Sequence, residues 1–288
     1  MAMPSSEYAT IRLMVKRSGP SLIAAAAAYF ALWVINARAP IPVERLFLAS
    51  VLATIVFIGI PIIGLYLGGR MQWGPATSVC ALAGCLAVLG ALLLARVPPT
   101  PETTGIAQLA RIGWPMALGF LVAGLVKDRN LIPPIAIVLA TVDILAVFAP
   151  VGTVKIAMHN EKIRPIFDAV AIQVPKVGTA LPVAQMGPAD FLFLGMFFYA
   201  IFKFGMRAKE TLYWVAPALA IYLAIVVFWG DKKLFGLPLG ALPALVPIGV
   251  AVVVANRDQF SMTKQEKAMT FGVLALCLAV LMIAAVLW

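Results

Sequence analysis

The chain has 288 residues, 63% of them hydrophobic and only 12% charged, with a mean hydropathy of +1.01. A soluble domain is about half apolar and about a quarter charged, so a soluble globular domain is excluded and a polytopic integral membrane protein is indicated. The net charge of +10 does not point to nucleic acid, because the Lys and Arg residues fall in short clusters at the ends of apolar runs, where anionic headgroups and water satisfy them.

Behind a short polar lead containing Arg12, Lys16 and Arg17, the chain reads as a series of apolar runs. Each is near the ~20 residues that cross the hydrocarbon core as a helix. Helices are the expected form, since every backbone polar group must be satisfied within lipid. The first run covers about 20–37 and is Ala-rich from Ala24 to Ala28. The second covers 46–68, through Pro61, and closes on Gly68-Gly69-Arg70. The third covers 75–95, where Gly84 and Gly90 offer close helix approach. Val97-Pro98-Pro99-Thr100-Pro101-Glu102 is a stiff turn. The fourth run covers 105–126, with Gly119 and Gly124 as further packing positions, and stops at Lys127-Asp128-Arg129-Asn130. The fifth covers 131–150, and the only long polar connection, 151–186, follows. Further runs cover 187–206, 211–229, 235–255 and 268–288.

The predicted fold is therefore all-α, with about nine transmembrane helices. Four spans lie in an N-terminal part, 1–130, and the rest in 131–288. No cleavable leader is expected, because the first apolar run is long and lacks a small-x-small pattern in a polar flank. With the N terminus inside, 12 Lys and Arg residues fall on the inside and the other 10 do not. That small excess leans towards N-inside and places the 151–186 connection outside.

Cys80, Cys85 and Cys277 all lie in apolar runs; they read as small buried hydrophobes without a disulfide framework. The single His159 has neither Cys nor a second His nearby, so none of the common metal sites is expected. Lys203, near a helix end, reads as a side chain that snorkels to the interface. Trp33, Trp73, Trp114, Trp214, Trp229 and Trp288 fall near run ends, as an aromatic belt would place them.

Two carboxylates break the apolar pattern. Asp143 sits inside Ala140-Thr141-Val142-Asp143-Ile144-Leu145-Ala146-Val147-Phe148-Ala149-Pro150. Asp190 follows 47 positions later in Met186-Gly187-Pro188-Ala189-Asp190-Phe191-Leu192-Phe193. A charge near the bilayer centre costs roughly 2.5–3.5 kcal/mol on insertion scales, so both residues call for a chemical reason. The exit of one run and the start of the next share one connection, so the two can sit at similar depth. Two carboxyls within a few ångströms cannot both ionise, and one keeps a proton. Such a pair suits peptide hydrolysis, in which one Asp takes a proton from water while the other polarises the carbonyl. Each Asp also has a structural reading: Asp143 bonded to a neighbouring Thr or Lys, Asp190 capping its own helix. A transporter uses intramembrane carboxylates beside broken helices in the same way.

The run from 235 opens on Gly236-Leu237-Pro238-Leu239-Gly240-Ala241-Leu242-Pro243-Ala244-Leu245-Val246-Pro247. Three prolines in ten positions are incompatible with a regular helix start, so part of this stretch is expected to be extended. Within the long connection, Ile172, Val174 and Val177 in Val170–Thr179 favour an extended form. Either a disordered loop or a strand-adding edge for an unwound substrate fits that piece.

Taken in order, Asp143 in an apolar helix, a polar connection, Gly187-Pro188-Ala189-Asp190, and Pro243-Ala244-Leu245 resemble the presenilin and signal peptide peptidase family of intramembrane aspartyl proteases. That family carries Tyr-Asp, Gly-x-Gly-Asp and Pro-Ala-Leu motifs in this order. Ala146-Val147 and Pro150 after the first Asp, and Phe191 and Phe193 after the second, add to the likeness, which covers about 131–250. The resemblance implies a presenilin-like bundle of nine helices in a prokaryotic cell membrane, cleaving single-pass membrane proteins or peptides within the bilayer without a cofactor. Asp143 and Asp190 would be the catalytic dyad, Gly187 part of the catalytic loop, and Pro243, Ala244 and Leu245 the walls of the substrate cleft. Val142 stands where the family has Tyr, and Ala189 where it has its second Gly. Asp143 falls on the fifth run rather than the sixth, and a further run follows the Pro-Ala-Leu helix. A secondary transporter using the same carboxylates, or a catalytically inactive family member, remains the alternative.

Overall fold

A computed structural model describes residues 5–38, 46–149, 168–175, 182–229, 233–234, 237–238 and 243–287. The described chain is mostly helical. Seven of its helices are long and apolar enough to cross a membrane, which makes this a multi-pass membrane protein. The helices are α1 (Ser5–Arg38), α2 (Leu46–Arg70), α3 (Pro75–Leu94), α4 (Pro101–Leu125), α5 (Ile132–Phe148), α6 (Pro188–Lys203), α7 (Ala208–Trp229), α8 (Leu245–Ala255) and α9 (Lys264–Leu287). At 16 and 11 residues, α6 and α8 fall short of the ~20 needed for a full crossing. Among the described residues there are also two short antiparallel pairs: β1 (Ile172–Pro175) with β2 (Pro182–Met186), and β3 (Lys233–Leu234) with β4 (Leu237–Pro238).

Helix starts follow local chemistry. Gly74 caps α3 and Pro75 occupies its first turn, where a missing N–H costs nothing. Helix α4 begins at Pro101 rather than 105 because Thr100 and Thr103 exchange bonds. Thr103 N–H donates to Thr100 Oγ1 at 3.2 Å, and Thr100 N–H to Thr103 Oγ1 at 2.9 Å. Thr263 and Glu266 form the same reciprocal box at the start of α9, with Thr263 N–H 2.6 Å from Glu266 Oε2 and Glu266 N–H 3.2 Å from Thr263 Oγ1. Helix α8 begins only at Leu245, ten residues into its apolar run. The prolines upstream hold part of that run extended as β4, in line with the sequence.

The chain divides into two compact units: Met1–Leu125 with Ala171–Lys203, and Val126–Val170 with Phe204–Trp288. Ala171–Lys203, which lies in the 131–288 part of the sequence, groups with the first unit.

In the first unit, α6 packs on α2 and α4 through glycines. A Cβ on Gly119 would overlap the carbonyl oxygen of Leu192. One on Gly69 would lie 3.0 Å from the backbone of Phe198, and one on Gly195 3.3 Å from Leu65. Such close approach is the usual role of small residues between membrane helices. Gly84, Gly90 and Gly124, expected to serve the same purpose, face open space. Tyr29, Trp33 and Phe57 form a buried aromatic cluster, Phe57 edge-on to both partners at 5.5 and 5.7 Å. Trp33 is 1% exposed and donates to Thr104 Oγ1 at 3.1 Å. It is thus a core residue and not part of an interfacial belt. Cys80 is exposed on α3, and Cys85 and Cys277 are half-buried. All three are free thiols and none is fully buried, against the expectation of buried fillers.

In the second unit α8 packs on α5 and α7, and α9 on α5. Asn256, fully buried at the end of α8, donates to Thr211 Oγ1 at 2.8 Å and accepts from Arg207 N–H at 2.9 Å. It thereby fixes the start of α7. Pro150, His159, residues 176–179 and most of 235–242 lie outside the described residues.

Candidate functional site

The second unit holds Asp143 and the Pro-Ala-Leu segment, and brings them together. Helices α5 and α8 approach closely because Gly249 faces Ala136. A Cβ there would lie 3.3 Å from Ala136 Cβ and 3.4 Å from its carbonyl oxygen. Asp143 follows Ala136 by seven residues and so returns to the same face of α5, while Leu245 precedes Gly249 by four and shares its face on α8. The Leu245 N–H donates to Asp143 Oδ2 at 2.8 Å. The first N–H groups of any helix lack an intrahelical acceptor, and a carboxylate there also meets the positive end of the helix dipole. Ala244 supplies no side-chain cap, so Asp143, reaching across from α5, does that work. Among the described residues, no Thr or Lys bonds to Asp143. Thr141 bonds back to the Ile137 carbonyl at 2.8 Å within its own helix. Ala244 and Leu245 are buried and Pro243 is half-buried. Val142, at the family's Tyr position, is exposed.

The first unit holds Asp190 and Gly187. Pro188 opens α6 and Asp190 lies in its first turn, an orientation the helix dipole favours for a carboxylate. The Asp190 N–H donates to the Gly187 carbonyl at 3.2 Å. A Cβ on Gly187 would stand 3.5 Å from Asp190 Oδ2, so the glycine keeps one flank of this carboxylate free of side chain. Immediately upstream, β2 pairs with β1 in the register Ile172 with Met186, Gln173 with Gln185 and Val174 with Ala184. The extended form expected for Ile172 and Val174 is thus present, and both side chains are buried.

Gln108 is the residue that the sequence did not single out. It lies on α4, fully buried, and its carboxamide grips β1 from the side opposite β2. Gln108 Nε2 donates to the Gln173 carbonyl at 2.7 Å, and the Gln173 N–H donates to Gln108 Oε1 at 3.3 Å. A primary amide thus supplies the donor and acceptor that a neighbouring strand would have supplied. The only sequence signal was a neutral polar residue within the apolar stretch of the helix, one turn before Arg111, which also donates to Oε1 at 3.4 Å. Lys203 is exposed at the end of α6. Its Nζ donates to the carbonyls of Ala123 and Gly124, at 3.4 and 3.1 Å, and closes the C-terminal end of α4.

No protein-family model matches the chain, and no curated protein and no solved structure matches it.

Proposed function

We propose that the chain is an intramembrane aspartyl endopeptidase that hydrolyses peptide bonds of transmembrane helical substrates, with Asp143 and Asp190 as its dyad. The supporting observation is the Leu245 N–H bond to Asp143 at 2.8 Å. It joins the first motif of the family likeness to its Pro-Ala-Leu segment across 102 positions. With Oδ2 held, Oδ1 of Asp143 is the oxygen that would address water. One carboxylate takes the water proton while the other, protonated, polarises the scissile carbonyl. The resulting tetrahedral diol collapses as the nitrogen of the leaving peptide is protonated. In this reading α6 and α8 are the shorter members of a nine-helix bundle. Gly187 belongs to the catalytic loop, and Pro243, Ala244 and Leu245 line the cleft. A substrate strand adding to the β1–β2 hairpin would run along β2, because Gln108 occupies the outer edge of β1.

The test is cleavage of a single-pass substrate by the purified protein in liposomes. Turnover is expected, together with inhibition by an aspartyl transition-state analogue, and Asp143→Ala and Asp190→Ala should each abolish it. Retained turnover in either variant removes the dyad. The 11-residue α8, preceded by extended chain, also suits a transporter, whose broken helices bind ions at their ends. Proton- or ion-coupled flux without proteolysis in the same liposomes would favour that alternative. Neither activity would favour an inactive family member.

A further inference from the structure

A cavity of about 250 Å3 lies in the first unit among α1, α2 and α4. Its walls include Leu22, Ala26, Tyr29, Pro61, Gly64 and Met116 and are almost wholly hydrocarbon. A buried water needs two to four polar partners, which these walls do not offer. All three helices belong to the set long and apolar enough to cross a membrane. Ile23, also on the lining, is 72% exposed, so the cavity reaches the outer flank of the helices, the flank that a membrane-spanning helix turns to lipid. Near its inner wall the cavity adjoins polar chemistry. The Tyr29 hydroxyl accepts from Gln108 Nε2 at 3.4 Å, and the same carboxamide holds both backbone groups of Gln173 in β1.

We propose that this cavity is a binding site for a single acyl chain of a membrane lipid, and that its occupancy steadies the β1–β2 hairpin through Tyr29 and Gln108. A chain in the cavity packs on the Tyr29 ring and holds its hydroxyl at Gln108. That fixes the carboxamide on Gln173. The site itself contains neither aspartate, and its support does not rest on the activity assigned to them.

The full chain is placed in nanodiscs of phosphatidylcholine carrying a diazirine at one acyl terminus, irradiated, and mapped by mass spectrometry. Labelling is expected at Tyr29 and Met116, which are 1% and 9% exposed and are reached through the cavity. Ile63, exposed on α2, reports the general lipid shell. Gly64→Leu has room, since a Cβ there meets only Leu22, at 3.9 Å, and it fills the site. Ala26→Leu fills it from the opposite wall and stands in if the first variant unfolds. In either variant, labelling of Tyr29 and Met116 should fall to background while Ile63 is unchanged. Unlabelled Tyr29 and Met116 in the parent, or undiminished labelling in a folded filled variant, would overturn the site. Hydrogen exchange at the Gln173 amide tests the coupling. It should slow by about fivefold or more in lipid nanodiscs relative to lipid-free amphipol, and Tyr29→Phe should remove that difference. Equal exchange in the two media overturns the link to the hairpin.

Discussion

Asp143 carries two separable duties, a cap for α8 and a proposed acid or base. Asp143→Asn keeps an oxygen for the Leu245 N–H but has no titratable group. Asp143→Ala removes both and leaves the backbone donor of the buried Leu245 unpaired, which costs about 1–3 kcal/mol. Both variants are therefore expected to lose cleavage, while thermal unfolding in detergent separates them, Asn near the parent and Ala clearly lower. If the Asn variant cleaves like the parent, Asp143 is only a cap. Gly187→Ala probes the other carboxylate. Its new methyl would lie 3.5 Å from Asp190 Oδ2, an ordinary contact, so folding should persist. On the protease reading, kcat should fall by about tenfold from misplacement of the reacting groups; an unchanged kcat would show that this flank of Asp190 is not used.

At the level of elements, the α5–α8 contact depends on Gly249. Gly249→Val places branched carbon where Ala136 already stands, and overpacking of this kind costs about 1–3 kcal/mol. The expected result is a lower melting temperature and a loss of cleavage, because α8 shifts and Leu245 leaves Asp143. A variant that unfolds at a lower temperature yet cleaves normally would uncouple the contact from the activity. Most of the helices were legible, since a ~20-residue apolar run between polar clusters admits little else in lipid. The start of α6 was legible from Pro188, and the extended character of 172–175 from Ile172 and Val174. The partner strand Pro182–Met186 was not, because pairing is set by register across a gap and Gln185 and Pro182 carry no strand signal. Of the glycines expected to serve helix packing, Gly119 does so and Gly84, Gly90 and Gly124 do not. Gly84 and Gly119 look alike in sequence, and only the rotation of each helix decides which one meets a neighbour. Gln108 was invisible for the same reason: its meaning depends on which backbone lies opposite. Of the candidate site, the residue types and their order were legible, while the Leu245 bond to Asp143 required the fold.

On the scale of the whole molecule, each compact unit carries one of the two aspartates, Asp190 in the first and Asp143 in the second. The one motif of the first unit, Gly187 to Asp190, sits beside the β1–β2 hairpin. Both motifs of the second, Asp143 and Pro-Ala-Leu, sit at the α5–α8 contact. Hydrolysis by a shared proton needs the two carboxyls on one water, roughly 3–6 Å apart. Cysteine cross-linking measures this directly. Cys80, Cys85 and Cys277 are free and exposed or half-buried, so Ser at all three is expected to leave a folded background. In that background, Asp143→Cys with Asp190→Cys should be joined in liposomes by the shortest bifunctional thiol reagent. A protease site inserted between 151 and 167 lets the joined halves be seen as one band after cutting. The control pair, Val142→Cys with Asp190→Cys, places the thiol on the exposed side of α5 and should be joined only by longer reagents. Should the aspartate pair also need the longer reagents, with or without substrate present, no single water can serve both carboxyls. The chemistry of the two units would then be separate, as in a transporter that binds its ion at the capped end of α8.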